Sequence, residues 1–241
     1  MSKHWMCMWG AVAIAVFAPS PAGAAAYSSS WRVLSEWFDR GVSQTAGRPA
    51  LQAEVEMTWA TGWYAGVAGG NVHFGECCLE RVQLDVFGGR RFEFDGWRLD
   101  AGATSSWFPG ARGDDDAAEL FGGAGWRWLD LSGYWTDDYA ALEESAWYFE
   151  ARAAVPLGRQ SLELQLAAGY HFGEAFESCH APETGLEPYG NWSVAVSRPI
   201  GRAQVTVGWT DTDTSHGFRV RDGAGANDGR IFAGVAWQLG E

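Results

Sequence analysis

LQAEVEMTWATGWYAGVAGGNV, residues 51–72, decides the fold. From Leu51 to Trp59, apolar residues (Leu51, Ala53, Val55, Met57, Trp59) alternate with polar ones (Gln52, Glu54, Glu56, Thr58). A period of two puts the first set on one face of a β-strand and the carboxylates on the other. Thr61-Gly62 breaks the run, and a second strand follows with Trp63, Ala65 and Val67 on its apolar face. An apolar face about ten residues tall, closed by tryptophans at a tight turn, is the hairpin unit of a transmembrane β-barrel.

Outward from this hairpin the pattern recurs from Trp31 to Leu239. It predicts an all-β, antiparallel up-and-down barrel of about 12 strands. The connections alternate in length. Short ones are Thr61-Gly62, Glu93 to Gly96, the break near Arg127, Pro156 to Gln160 and Arg198 to Arg202. Long ones are Phe38 to Ala50, His73 to Leu79, Phe108 to Asp116, Asp137 to Glu144, Phe172 to Pro188 and Asp211 to Gly229. Outer-membrane barrels have short periplasmic turns and longer extracellular loops, whereas a soluble sandwich has no reason to sort its loops by parity.

Ten of the 15 tryptophans obey the same geometry. Trp59, Trp63, Trp97, Trp126 and Trp237 fall at the short-turn ends, and Trp107, Trp135, Trp147, Trp192 and Trp209 at the long-loop ends. Two aromatic girdles, one at each membrane interface, are expected.

Residues 1–26 read as a secretory signal peptide: Lys3 and His4 precede an apolar core from Trp9 to Ala18, and small residues follow at Ala22 to Ala26. That core is too short to cross a bilayer as a helix. The barrel then occupies residues 27–241, and the expected location is the outer membrane of a Gram-negative bacterium. Its partners there are membrane lipid, lipopolysaccharide and, during insertion, the barrel-assembly machinery. The net charge of -13 excludes a nucleic-acid partner, which needs a basic footprint.

Several runs resemble the TorF-type porin family of proteobacterial outer membranes. They are Arg40-Gly41-Val42-Ser43-Gln44-Thr45, Arg48-Pro49-Ala50-Leu51-Gln52, Thr61 to Val67, Asn71-Val72-His73-Phe74-Gly75 and Trp135-Thr136-Asp137-Asp138-Tyr139. The resemblance runs through the mature chain and implies an outer-membrane channel.

If the apolar faces meet lipid, the alternate residues line the lumen: Glu36, Glu54, Glu56, Asp85, Asp100, Glu119, Asp130, Glu150 and Glu163, with Arg32, Arg81, Arg98 and Arg152. Charges in a lumen require water or partners. One expectation is a narrow aqueous pore for small polar solutes or ions, with a mild cation preference. The other is a ladder of Arg–carboxylate pairs bracing a closed barrel that acts through its loops.

The acidic loop residues, such as Asp114-Asp115-Asp116, read as solvated charge, so no metal or cofactor is expected. Cys77, Cys78 and Cys179 lie in two long loops, and either member of the adjacent pair could bridge to Cys179. Lipid hydrolysis is the alternative of a different class. His171 has lumen parity near the outer rim, but no histidine has a serine at nucleophile spacing. No catalytic residue, and no enzyme, is expected.

Overall fold

The computed structural model describes residues 25–73, 82–109, 117–139, 142–158, 161–177, 187–214 and 229–240. Residues 1–24 of the expected signal peptide (1–26), together with Arg81, Cys77, Cys78 and Cys179, lie outside the described residues.

Within them the alternating runs form β1 (Ala26–Leu34), β4 (Ala50–Thr58), β5 (Trp63–Asn71), β6 (Val82–Phe94), β7 (Trp97–Trp107) and β8 (Ala117–Trp126). There follow β9 (Leu129–Thr136), β10 (Ala146–Leu157), β11 (Leu162–Phe172), β12 (Tyr189–Ile200), β13 (Ala203–Thr212) and β14 (Arg230–Gly240). Two short strands, β2 (Phe38–Asp39) and β3 (Val42–Ser43), pair only with each other, and a single helical turn, α1 (Glu174–Glu177), follows β11.

The twelve long strands close in sequence order into one antiparallel barrel. Closure comes at β1, which pairs with β14 from Ser28↔Gly240 to Leu34↔Gly234 and with β4 from Ala26↔Thr58 to Leu34↔Ala50. Every strand of the barrel thus has two neighbours, and no edge is left with unpaired backbone groups. The short connections and the ends of β1 at Ala26 and β14 at Gly240 share one mouth, and the strand ends that carry the long connections share the other.

The barrel is apolar on the outside. Leu51, Val67, Leu120, Leu131 and Val207 are each more than half exposed, between 52% and 55%. A continuous apolar belt of this kind is untenable against water and fits hydrocarbon. Among the described residues no helix is long and apolar enough to cross a membrane. A barrel crosses with its strands.

Aromatic side chains cluster at both rims of the belt. At the turn end Trp97 and Trp126 stack with ring centroids 6.2 Å apart, and Trp63, Trp128 and Trp237 project outward. At the loop end Trp135 and Trp147 lie 6.2 Å apart, and Trp107 and Trp192 are exposed. Trp59 sits in the β4–β5 turn, Trp209 is half-buried, and Trp128 is an outward tryptophan that the strand reading passed over.

Several strands run further than the sequence expectation, as β6 to Phe94, β10 to Leu157, β12 to Ile200, β11 to Phe172 and β13 to Thr212 do. Two boundaries bear on the interior. Ala50 belongs to β4 rather than to the preceding loop. Glu36, expected on a strand face, lies beyond the end of β1. The Ser35 amide still bonds to the Ala233 carbonyl (2.8 Å) and its hydroxyl accepts from the Ala233 amide (2.9 Å), after which the chain leaves the sheet and turns inward.

Candidate functional site

The segment between β1 and β4, residues 35–49, folds into the barrel. Its β2–β3 hairpin turns on Arg40-Gly41, both at positive φ (47° and 81°), the geometry of a two-residue hairpin turn whose twist matches its strands. Glycine is needed at 41 for a second reason: a Cβ there would press on Thr212 of β13 and Asn191 of β12.

Arg40 at the tip reaches across to β8 and donates to both oxygens of Glu119, at 2.7 and 2.6 Å. Its guanidinium also lies 5.0 Å from the Tyr134 ring centroid on β9 and 4.8 Å from that of Tyr148 on β10. A planar cation between two aromatic faces and a bidentate carboxylate is a strong anchor, since charge-assisted and cation–π contacts add. Glu119, Tyr134, Tyr148 and Asn191 each lie two residues in from the loop end of their strands. The hairpin tip is therefore about 7 Å below the loop-end rim.

The base of the loop is pinned as firmly. Glu36 is buried and accepts from Arg230 of β14 (3.0 Å), from the Gly47 amide (2.8 Å) and from the Ser43 hydroxyl. The Trp37 amide donates to Thr45 Oγ1 (3.1 Å), and the Gln44 carbonyl accepts from the His73 amide (2.8 Å). Trp37 itself lies against Gly70 of β5, where a side chain would crowd it.

The lumen is unequal in cross-section. Along β8–β12 it is filled: Tyr148, His171 and Tyr189 are buried, and Tyr139 and Phe176 come in from the β9–β10 and β11–β12 loops. Ring centroids step from Phe176 to His171 (4.8 Å), to Tyr148 (5.5 Å), to Tyr134 (6.0 Å) and to Phe121 (6.1 Å). Val42 of the inward hairpin packs on the same cluster. His171 is thus one ring in an aromatic packing; its Nδ1 is 3.3 Å from the Tyr189 hydroxyl. Along β1, β4, β5 and β6 the wall is small and polar instead. There a cavity of about 80 Å³ is lined by Ser30, Arg32, Trp37, Gln52, Glu54 and Asp85, among others.

Among the described residues, five lumen arginines hold carboxylates. Besides Arg40–Glu119 and Arg230–Glu36, Arg91 bridges Glu56 (2.6 Å) and Asp100 (3.6 Å), Arg98 pairs with Asp130 (2.6 Å), and Arg152 with Glu150 (2.6 Å). Arg91 also covers the Tyr64 ring at 3.9 Å, while the Tyr64 hydroxyl donates to Asp100 (2.8 Å). Among the described residues Arg32 and Glu54 make no ion pair or hydrogen bond. Asp85 accepts from Ser106 and from Gln83 (2.9 Å), and Glu163 from Gln165 (2.9 Å).

Asp39, beside Arg40 on the inward hairpin, is exposed at its surface, with the barrel wall around it at longer range. That enclosure raises its pKa against the lowering effect of Arg40; Glu119 and Asp85 raise it further.

A family model described as a bacterial protein of unknown function, Gcw_chp, matches residues 18–232. The chain belongs to the Gcw_chp family. No curated protein matches the sequence. The Gcw_chp fold is similar to the NanC porin in a rhombohedral crystal form, at 9% identity and a TM-score of 0.54 over 90% of this chain and 100% of that one. It is also similar to a chain from work on the in-meso crystallization of membrane proteins, at 12% identity and a TM-score of 0.54 over 89% and 83% of the two chains. At such identities the likeness is one of fold: a closed barrel of outer-membrane type.

Of the residues expected to line a lumen in this Gcw_chp barrel, Glu36, Glu56, Arg98, Asp100, Glu119, Asp130, Glu150 and Arg152 are drawn into ion pairs, Arg32, Glu54 and Asp85 line the small cavity, and Glu163 accepts from Gln165. Three inward arginines escaped the sequence reading. Arg40 and Arg230 adjoin long loops, and Arg91 follows Gly88-Gly89, where the apolar alternation lapses. The inward aromatics Tyr64, Phe87, Phe121, Tyr134 and Tyr148 escaped it too, because an aromatic residue in such a chain reads as lipid-facing. A usable signal was present: each sits at the lumen parity of its strand.

Proposed function

We propose that this barrel is an outer-membrane porin that passes small polar solutes by diffusion through a narrow, off-centre lumen. The observation that carries the reading is the β1–β4 loop. It crosses the lumen and is anchored on β8 by Arg40–Glu119 and on β14 by Glu36–Arg230. A pinned inward loop narrows a barrel without sealing it, and the polar wall along β1, β4, β5 and β6 supplies a wet path beside it.

Selectivity follows from which charges remain unneutralised. Five of the described lumen arginines are bound to carboxylates, whereas Asp39, Glu54, Asp85 and Glu163 lack an arginine partner, with Arg32 against them. That excess favours a mild cation preference. The wider reading places residues 1–26 as a cleaved signal peptide and the long loops at the lipopolysaccharide surface. The barrel-assembly machinery inserts the chain. The TorF-type resemblance at Arg40–Thr45 supports it, since that run is the inward hairpin and its anchor.

The test is single-channel recording in a planar bilayer, with folding first shown by a heat-modifiable gel shift. Conductance steps that scale with salt, and a cation-selective reversal potential, are expected. Folded protein that stays silent refutes the porin reading and favours the second one, a non-conducting barrel acting through its loops. The aromatic packing around His171 is the feature on which that reading would stand.

Protonation should tune the pore. With its pKa raised, Asp39 takes up a proton at a higher pH than a free aspartate. Cation preference should therefore fall as pH drops through that raised value, and Asp39→Asn should remove this step from the reversal-potential profile. The linkage sign agrees. Asp39 favours the folded loop most below the ordinary aspartate range, and this contribution is lost as pH rises through the raised value.

A further inference from the structure

Among the described strand residues, two arginines lie on the outer face. Arg90 on β6 and Arg198 on β12 project from the outer surface near the short-turn mouth, each followed two residues later by an exposed apolar side chain, Phe92 and Ile200. The sidedness of Arg90 is set by its neighbours: Gly89 abuts the lumen-facing Tyr64, and Arg91 holds Glu56 inside. Arg90 instead lies over outward rings, 4.4 Å from the Phe92 centroid and 5.4 Å from that of Trp63. It bends toward Phe92, the direction of the short-turn mouth and its interface. Its Nε is buried without a hydrogen-bond partner, and no carboxylate among the described residues meets the guanidinium. A cation in that place needs an anion from outside the chain.

The surface beside it is shaped for a chain. Arg90 pairs with Ala101, which pairs with Gly122; one row above, Ala65 pairs with Gly88 and Gly88 with Ala103. These five outward positions carry almost no side chain, on a wall otherwise built from Val67, Val86, Leu99 and Leu120. A Cβ at Gly122 would meet only the Asp100 carbonyl, at 3.8 Å. The result is a furrow one side chain deep that leads from the guanidinium toward the middle of the apolar belt.

We propose that Arg90 and this furrow hold one phospholipid of the periplasmic leaflet, the guanidinium taking the headgroup phosphodiester and the furrow an acyl chain. This rests on the membrane reading above but not on conduction. Guanidinium matches phosphate oxygens through paired N–H donors, and stacking on Phe92 and Trp63 orients it for them. A second copy of the chain suits the face less well. Copies related by an axis along the membrane normal meet at equal depth. At this depth the lipid-facing strand residues described include Arg198 but no carboxylate.

The experiment is native mass spectrometry of the folded full barrel in detergent, with dioleoyl-phosphatidylglycerol or dioleoylglycerol added. Wild-type protein should keep one phosphatidylglycerol and no dioleoylglycerol. Arg90→Gln should lower retention by about tenfold, the loss expected for a charge-assisted phosphate contact, and Arg90→Lys should restore part of it. Gly122→Leu keeps the charge but fills the furrow and should also lower retention. It keeps the proposal open to refutation should Arg90→Gln fold poorly. Equal retention by wild type and both variants would overturn the site, as would equal retention of dioleoylglycerol. A lipid-free dimer would assign the face to a second copy. Failure of the gel shift itself would instead strike the membrane reading.

Discussion

Arg40→Ala should raise single-channel conductance by about twofold or more, because the one change removes the tip anchor of the loop that crosses the lumen. The side chain gives up two hydrogen bonds to Glu119 and its stacking against Tyr134 and Tyr148. Glu119 is then left as an uncompensated carboxylate in a part-buried wall. Breaking such a pair costs about 2–4 kcal/mol, toward the lower side because both side chains keep some contact with lumen water. With the hairpin released, the steps should become larger and noisier, since the loop can sample positions nearer the mouth. Arg40→Lys separates charge from shape: it keeps a cation but cannot form the fork, so its conductance should lie between the two. Wild-type steps from Arg40→Ala would mean that the base contacts at Glu36 and Arg230 hold the loop alone.

A larger loss is expected of stability in Gly102→Val. Gly102 faces the lumen on β7, opposite Gly89 of β6 and Phe121 of β8. A Cβ there would run into the Gly88 carbonyl oxygen and would lie 2.6 Å from the Phe121 ring and 2.9 Å from the Gly89 Cα. The ring can turn away; the backbone atoms cannot without pulling β6 from β7. The cost should be about 3 kcal/mol or more, at the upper end for overpacking. Denaturant titration of the folded barrel in detergent measures it. Adding Phe121→Ala to Gly102→Val should recover only the part of the loss due to the ring, and a full recovery would show that the backbone contact yields. The same device recurs where Gly66 faces Phe87 and Gly208 faces Phe232 across neighbouring strands. Lumen glycines in this chain are seats for aromatic rings more than open space for water.

Much of the architecture is legible in local pattern. Leu51 to Trp59 shows one apolar face, and Asp95-Gly96 or Thr61-Gly62 marks a tight turn, because side-chain alternation and turn chemistry depend on a few consecutive residues. Strand number, loop parity and the outward set follow from repeating that reading along the chain. The lumen was legible only where polar residues alternate cleanly with apolar ones, as at Glu54 and Glu56. It was lost at Tyr134 and Tyr148, whose type suggests lipid while their parity points inward. Glu36 reads as a strand residue because the alternation of β1 continues past the last residue that the sheet can pair.

By itself, then, the sequence determined the antiparallel barrel, its strand number and the apolar belt on its outer face. Only the tertiary structure decided what occupies the interior. The run Arg40–Thr45 reads as the start of a surface loop, and nothing within it points inward. Its direction is set by Glu119, 79 residues away along the chain, and by Arg230, 194 residues from Glu36. Those partners converge only once all twelve strands have closed. An inward loop is stabilised by many contacts that are each weak and all non-local, so no stretch of sequence can carry them.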